Sequence, residues 1–153
     1  MKIPITKEGY EKLKRERDYL ISKKRPEILK AIEEARAHGD LSENAEYDAA
    51  KEEYQLLQKK IAEIEEMLEK STVMEPNSNS SECAFGSKVK LKNVDTGDIV
   101  IYQLVGPFES DVKSGRISVT SPLGKALLGR RVGEEVRFSA PGGEKIYEVL
   151  EIE

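Results

Sequence analysis

A run of apolar residues spaced alternately three and four positions apart limits how this chain can fold more than any other feature. The run consists of Tyr47, Ala50, Tyr54, Leu57, Ile61, Ile64 and Leu68. This spacing places the side chains along one stripe of an α-helix and is typical of a coiled-coil seam, not of a strand. The sequence therefore predicts one long helix that needs a second helix to cover its apolar stripe.

A second, less apolar seam precedes the first along the chain. It consists of Tyr10, Leu13, Leu20, Ile28, Ala31 and Ala35. Arg17 and Lys24 occupy two of its positions, and its spacing slips by one residue between Leu20 and Ile28. Because the nearby Pro26 has no N–H to donate, we expect the helix to bend or restart there.

The two seams are separated by the short acidic segment 39–47, Gly-Asp-Leu-Ser-Glu-Asn-Ala-Glu-Tyr. Gly39 is expected to end the first helix in a left-handed C-cap conformation, and the segment is long enough only for an antiparallel return. Residues 1–72 therefore read as a helical hairpin with its tip at 39–47. From Glu43 to Lys70 the arm measures on the order of 42 Å at about 1.5 Å per residue.

The composition excludes several classes of protein and site. The chain has 153 residues, 35% of them charged, and contains no long apolar run, so we expect a cytoplasmic protein with no membrane association. Cys83 and His38 are the only cysteine and histidine, which excludes an intrachain disulfide and a Cys/His zinc cluster. His38 is expected to be solvated near a helix end and not to act as a general base.

The charges are unevenly distributed along the predicted arm. The net charge of −4 argues against broad binding to duplex nucleic acid. The first helix is basic, whereas the stretch 40–53 is acidic; the basic residues are Lys12, Lys14, Arg15, Arg17, Lys23, Lys24 and Arg25. One interpretation is a solvated face with i,i+4 ion pairs, and the other is an arm guided past a polyanion.

The periodicity changes after the second seam. Residues 73–85 read as a polar linker, and residues 86–153 follow a period of two that is typical of strands. Strands are predicted at 88–92, 99–105, 116–120, 135–138 and 145–152. Hairpin turns are predicted at 95–98 and 141–144, and a short helix at 123–129. This part is therefore a small sheet with one short helix packed against it.

With these features, the chain resembles the GreA-type transcript cleavage factors of bacterial RNA polymerase. The resemblance covers nearly the whole sequence and rests on 25–28 (Arg-Pro-Glu-Ile), the tip 39–47, 117–122 and 141–144. It implies an α+β protein with an N-terminal antiparallel coiled-coil hairpin that enters the polymerase secondary channel. It also implies a C-terminal FKBP-like domain that docks at the channel entrance, and stimulated cleavage of backtracked RNA at its 3′ end.

The acidic pair Asp40 and Glu43 is the predicted site of chemistry. Two carboxylates three positions apart hold magnesium only loosely, so the ion, Mg²⁺, would be shared with the polymerase active site. The pair would then act in trans, and the chain alone would not be an enzyme. The same spacing also fits an N-capping arrangement, in which the two acids stabilise a helix start.

The resemblance also assigns roles to residues around the acidic pair and in the sheet domain. It places Asn44 and Tyr47 near the RNA 3′ end or the active centre, although Tyr47 also fits as the first seam residue. Arg36 and Lys51 would contact RNA or phosphate. The alternative is that both are ordinary solvated charges on helices. The Ser121-Pro122 turn would dock on the polymerase; the alternative is that it is only the exit from a strand.

Two other functions compete with transcript cleavage. A paralogue that occupies the same channel would inhibit or modulate without cleavage, but its tip would lack the acidic pair. An FKBP-like chaperone or peptidyl-prolyl isomerase would need an aromatic-lined pocket, whereas the aromatic residues here suit a core; they are Phe85, Phe108, Phe138, Tyr102 and Tyr147. The expected partners are bacterial RNA polymerase and the nascent RNA within its complex, and the factor alone is expected to be monomeric.

Overall fold

The computed structural model describes residues 2–38, 44–75 and 81–153, which form two compact units. The hairpin unit contains the described residues between Tyr10 and Lys70, and the sheet unit contains those up to Gly9 and from Ser71 onward. The predicted domains were 1–72 and 86–153 with a linker at 73–85. In the structure the residues up to Gly9 lie in the sheet unit, as does the buried Cys83 of the predicted linker.

Three α-helices and a π-helical segment form the hairpin unit, except that residues 7–9 at the start of the first helix belong to the sheet unit. The elements are α1 (Lys7–Tyr19), the π-helical segment (Leu20–Lys24), α2 (Arg25–Arg36) and α3 (Ala45–Lys70). The seam predicted for α3 is confirmed, because its buried residues are all seam residues: Ala50, Leu57, Ile61, Ile64 and Leu68. Tyr47 and Tyr54 on the same stripe are partly exposed.

Helices α2 and α3 run antiparallel. The side chain of Asn44 reaches the carbonyl of Ala35, and Lys24 pairs with Glu53 at 3.7 Å, so the residue numbers run in opposite directions. Between these contacts lies a cluster of Ile28, Leu57 and Ile61, with Leu20, Ile21, Ile32 and Tyr54 packed against it. At its seam position the Lys24 side chain stays 41% exposed and pairs with Glu53.

One residue of the predicted first seam was wrong. Ala31 is exposed, and Ile32 packs against the apolar cluster instead. The prediction placed the next seam residue three positions after Ile28, at Ala31, whereas the residue that faces the apolar cluster is four positions after it, at Ile32. A step of either three or four stays on one helix face, and the larger side chain buries more apolar surface.

The predicted slip in the first seam corresponds to the π-helical segment. The N–H of Arg25 donates to the carbonyl of Leu20, five residues earlier, so this turn contains one more residue than an α-helical turn. Pro26 follows in the first turn of α2, where its missing N–H costs little. The extra residue is therefore absorbed in one wide turn.

The sheet unit contains a two-stranded and a five-stranded sheet. The small one pairs β1 (Ile3–Ile5) with β2 (Ser71–Val73) in parallel, which was not predicted. The large one has the order β5-β4-β3-β7-β6. Its strands are β3 (Lys88–Asn93), β4 (Ile99–Val105), β5 (Arg116–Ser118), β6 (Glu135–Ala140) and β7 (Gly143–Ile152). Its neighbours are antiparallel except β4 and β5, which pair in parallel, so the sheet is mainly antiparallel, as the predicted small antiparallel β domain with a short helix requires.

Short helical elements and turns complete the sheet unit. Helix α4 (Pro122–Leu127) packs near β6, and 3₁₀ turns lie at Pro107–Glu109 and Val112–Ser114. Gly97, with φ of +80°, allows the tight turn predicted at 95–98. Strand β5 ends at Ser118, two residues earlier than predicted, because Ser118 already begins the turn that leads to α4.

The core of the sheet unit lies between the large sheet and α4. It contains Cys83, Val89, Leu91, Leu104, Ile117, Leu123, Leu127, Val136, Tyr147 and Val149. The rings of Phe138 and Tyr147 stack with their centroids 5.6 Å apart, and Tyr102 also packs against this core. The expectation that these three aromatic residues are core residues is confirmed.

None of the helices that the structure describes has both the length and the apolarity needed to cross a bilayer.

Candidate functional site: the hairpin end and the Ser121 turn

Asn44 forms the start of α3 and a link back to α2. Its Oδ1 accepts a hydrogen bond from the backbone N–H of Tyr47 at 3.0 Å, which is the N-cap interaction, and its carbonyl accepts from Asp48 at 3.1 Å. Its Nδ2 donates to the carbonyl of Ala35 in the last turn of α2. One amide side chain therefore satisfies a free donor of one helix and a free acceptor of the other.

The position of this cap bears on the alternative interpretation of the acidic pair. Asp40 and Glu43 lie outside the described residues, so the structure does not test where they point. However, the N-cap of α3 is Asn44, and this helix does not require Asp40 as its cap. The contact predicted between Asn44 and RNA stays a prediction, and the structure adds a structural role for that residue.

Tyr47 and Lys51 form a pair one turn apart on α3. The Nζ of Lys51 lies 5.2 Å from the centroid of the Tyr47 ring, within the range of a cation–π interaction. Tyr47 is partly exposed and lies on the seam stripe. Both sequence interpretations of Tyr47 are therefore compatible with its position, since its ring lies on the seam and still contacts an exposed lysine.

Arg36 and His38 lie at the other side of the hairpin end. Arg36 is the exposed last residue of α2. The Nδ1 of His38 lies 3.8 Å from Oε2 of Glu46, with both side chains largely exposed, which confirms that His38 is solvated. Among the residues that the structure describes, no group of three or more His, Cys, Asp or Glu is arranged to hold a metal ion.

Ser121 and Pro122 begin a helix and do not form a simple strand exit. Ser121 is the N-cap of α4: its Oγ accepts from the N–H of Gly124 at 3.1 Å and donates to the carbonyl of Ser118 at 2.6 Å. A Cβ on Gly124 would lie 2.0 Å from that carbonyl oxygen. The turn therefore depends on a residue without a side chain at position 124, and it holds the exposed Pro122 in a fixed place.

Cys83 is buried in the core of the sheet unit. Burial raises the pKa of its thiol to about 11, so the thiol is protonated at neutral pH. Its backbone bonds to the segment after α4, through Cys83 N–H to Arg130 and Gly129 N–H to Cys83.

Sequence reasoning missed a polar cluster at the start of α1, centred on Glu109 and Thr6. Its partners are 103 positions apart, so no local pattern links them. One signal was present, because Gly9 lies inside a helix, where glycine costs about 1 kcal/mol relative to alanine. Such a glycine indicates a close approach by another group.

Two family models match the chain. The model described as the N-terminal part of transcription elongation factors matches residues 3–73. The model for the C-terminal part of GreA/GreB transcription elongation factors matches residues 78–153. Together they span the hairpin and most of the sheet unit.

Similar proteins and structures carry related names. Transcription elongation factor GreA of Thermodesulfovibrio yellowstonii is 51% identical, with 99% of this chain and 96% of that protein covered. GreA of Syntrophobacter fumaroxidans is 49% identical, with 99% and 97% covered. The crystal structure of GreA factor homolog 1 (Gfh1) of Thermus thermophilus is 30% identical, covers 100% and 99%, and has a TM-score of 0.46. On the sequence matches alone, this chain belongs to the GreA/GreB family of transcription elongation factors.

Proposed function

We propose that this protein stimulates RNA polymerase to cleave the 3′ end of backtracked RNA, with Asp40 and Glu43 supplying carboxylates for a magnesium ion. The family match makes the chain a transcription elongation factor that acts with RNA polymerase. The factor is not an enzyme by itself, because the polymerase makes the cut. The metal ligands, the nascent RNA contact and the monomeric state are parts of the proposal.

The observation that supports a catalytic role for the acidic pair is the capping of α3 by Asn44. The N-cap was the principal structural explanation for carboxylates at this point of the sequence, and another side chain performs it. Two hard oxygen ligands suit Mg²⁺, which usually takes one or two protein carboxylates and keeps several waters. An ion held by this pair therefore needs ligands from the polymerase or the RNA.

The chain itself contributes reach and rigidity. From Ala45 to Lys70, α3 extends about 38 Å at about 1.5 Å per residue, so it is long relative to a small domain. Asn44 joins the two helices beside the segment that carries the acids. The chemistry that such an ion would supply is charge stabilisation for an in-line phosphodiester displacement. Asp40 and Glu43 would hold that ion.

Arg36, Lys51, Asn44 and Tyr47 are proposed to contact RNA or the active centre. The first two are exposed cations on opposite helices of the hairpin end, as a polyanion contact requires. Ser121 and Pro122 are proposed to dock on the polymerase, and the support is the fixed α4 cap with an exposed proline beside it.

The test uses stalled, backtracked elongation complexes with labelled RNA. The native protein is compared with Asp40→Asn and Glu43→Gln at matched occupancy of the polymerase, across a magnesium titration. We expect 3′ fragments with the native protein and strongly reduced cleavage with both variants, partly restored at high magnesium. Glu46→Gln is the matched control, since Glu46 is an exposed acid on the first turn of α3.

The alternative outcome distinguishes the runner-up function. If native protein and variants all bind and none releases a fragment, the chain is a channel-binding regulator without cleavage activity. If both variants cleave like the native protein, the acidic pair is not catalytic.

A further inference from the structure

The carboxylate of Glu109 accepts hydrogen bonds from four donors within the sheet unit. Its side chain is 4% exposed, although it lies in a surface 3₁₀ turn. Oε2 accepts from the backbone N–H of Thr6 at 2.7 Å and of Gly106 at 3.1 Å. Oε1 accepts from the Thr6 hydroxyl and from the Arg116 guanidinium at 2.8 Å. Each oxygen therefore serves two donors, as a buried charge requires.

Two of these donors come from the N-cap of α1. The Thr6 hydroxyl accepts from the N–H of Gly9 at 3.1 Å, which caps the helix, and donates its own proton to Glu109. A negative charge beside the N-terminus of a helix is also favourable for the helix dipole. The carboxylate therefore stabilises the cap through its hydrogen bonds to Thr6, and it stabilises α1 through a favourable interaction with the helix dipole.

Two glycines make the close approach possible. A Cβ on Gly9 would lie 2.2 Å from Oε1 of Glu109, and a Cβ on Gly106 would lie 1.8 Å from the carbonyl oxygen of Pro4. Both distances are far below van der Waals contact. The fit between the first turn of α1 and the 106–109 turn is therefore specific to residues without side chains at these positions.

The same place is where the hairpin segment leaves and rejoins the sheet unit. Strand β1 comes just before Thr6, and its parallel partner β2 comes just after α3. Ile5 is fully buried, and its carbonyl accepts from the N–H of Met74 at 2.9 Å. The two ends of the hairpin segment are thus bonded to each other, and one end is bonded to Glu109.

We propose that Glu109 is a positioning residue: it anchors the first turn of α1, where the chain leaves the sheet unit for the hairpin, and productive cleavage depends on this anchor. The effect on cleavage rests on the proposed function, whereas the anchor itself belongs to the free protein. Glu109 contacts no substrate in this scheme; it acts through Thr6 and α1.

The first test measures amide hydrogen exchange by NMR in the free, full-length protein. In Glu109→Gln the amide nitrogen replaces one oxygen and faces two donors, so we expect exchange at Thr6 and Gly9 at least about tenfold faster. Glu135→Gln, at an exposed acid on β6, is the control and should leave these amides unchanged. Unchanged exchange in Glu109→Gln would show that there is no anchor.

A second pair of variants covers the case in which Glu109→Gln fails to fold. Thr6→Val removes the hydroxyl and leaves the backbone donor, whereas Thr6→Ser retains both. We expect faster exchange at Gly9 with Thr6→Val and near-native exchange with Thr6→Ser. Equal behaviour of the two variants would overturn the assigned role of the hydroxyl.

The functional test separates binding from cleavage on backtracked complexes. We expect the cleavage rate at saturating factor to fall at least about tenfold in Glu109→Gln, with half-saturation changed less than about threefold. Thr6→Ser should restore the rate that Thr6→Val loses. If exchange rises but the saturating rate is native, the anchor is structural only and the positioning role is refuted. If the native protein does not cleave, the positioning role fails together with the proposed function, while the exchange result still decides the anchor.

Discussion

Replacing Asn44 should loosen the hairpin end by an amount that the structure allows to be divided into two parts. Asn44→Ala removes the N-cap bond to Tyr47, which is typically worth about 0.5–2 kcal/mol. It also removes the bond from Nδ2 to Ala35, worth about 0.5–1.5 kcal/mol. We therefore expect a total loss of about 1–3.5 kcal/mol in the local stability of the hairpin end.

Asn44→Ser separates the two contributions. Serine is about as good an N-cap as asparagine, but its side chain is too short to reach Ala35 as well. This variant should lose only the interhelical part, about 0.5–1.5 kcal/mol. Gln58→Ala, at an exposed amide in the middle of α3, is the control and should change stability by about 0.5 kcal/mol or less.

The assay is amide exchange of Tyr47 and Asp48 by NMR, combined with thermal unfolding. Exchange at Tyr47 should accelerate about five- to several-hundred-fold in Asn44→Ala, since each 1.4 kcal/mol is a factor of ten. The reasoning is refuted if Asn44→Ser is as damaging as Asn44→Ala, because the cap would then contribute nothing. It is equally refuted if neither variant changes the protection of Tyr47.

Three further predictions concern the two cores and the Ser121 turn. Ile64→Ala should destabilise the hairpin by about 2–5 kcal/mol in a urea titration, whereas Leu56→Ala, at an exposed position on the same helix, should cost about 0.5 kcal/mol or less. Because burial raises the pKa of Cys83 to about 11, the thiolate fraction is small at pH 7.5 and increases as the pH approaches 11. Alkylation of Cys83 should therefore be slow in the folded protein and fast in denaturant. Fast alkylation of the folded protein would contradict the burial of this thiol. Gly124→Ala should distort the Ser121 turn, the proposed docking site, because its Cβ would overlap the carbonyl oxygen of Ser118; it should therefore weaken polymerase binding, while Gly142→Ala, where a Cβ meets nothing within 4 Å, should bind normally in the same pull-down.

The regular parts of the fold were predictable because their signals are local. The α3 seam recurs over seven positions, and burial follows it from Ala50 to Leu68. The five strands of the large sheet were predicted from period-two patterns, with β4 matching at both ends. The slip in the first seam also had a local cause, since the extra residue is absorbed within Leu20–Lys24.

The missed features depend on partners that are distant in sequence. The three-residue strands β1 and β2 are too short to show alternation, and β1 contains Pro4. The bonds from Thr6 to Glu109 join residues 103 positions apart. The first seam was misassigned at Ala31 because steps of three and four are equally helical, and the choice depends on what α3 presents.

The family site was only partly accessible to sequence reasoning. The acidic pair was predicted as a site from the string that it forms with Asn44 and Tyr47, and that stays a prediction; the role of Asn44 as N-cap could not be read from the string. Asp40 and Asn44 are both good capping residues, and only the position at which α3 begins decides between them. The role of Ser121 as the N-cap of α4 could not be read from the sequence either; it follows from the hydrogen bonds of its hydroxyl with Ser118 and Gly124.

The parallel pairing of β1 with β2 has a consequence for how such a protein can be altered or evolve. Register places Ile3 opposite Ser71 and Ile5 opposite Val73, so the chain enters and leaves the helical hairpin at neighbouring points. The hairpin is therefore an insertion within a discontinuous domain, and the sheet unit keeps its own core without it. Another antiparallel hairpin grafted between Gly9 and Ser71 would start and end at the same neighbouring points, so this architecture allows the helical segment to be exchanged as one piece.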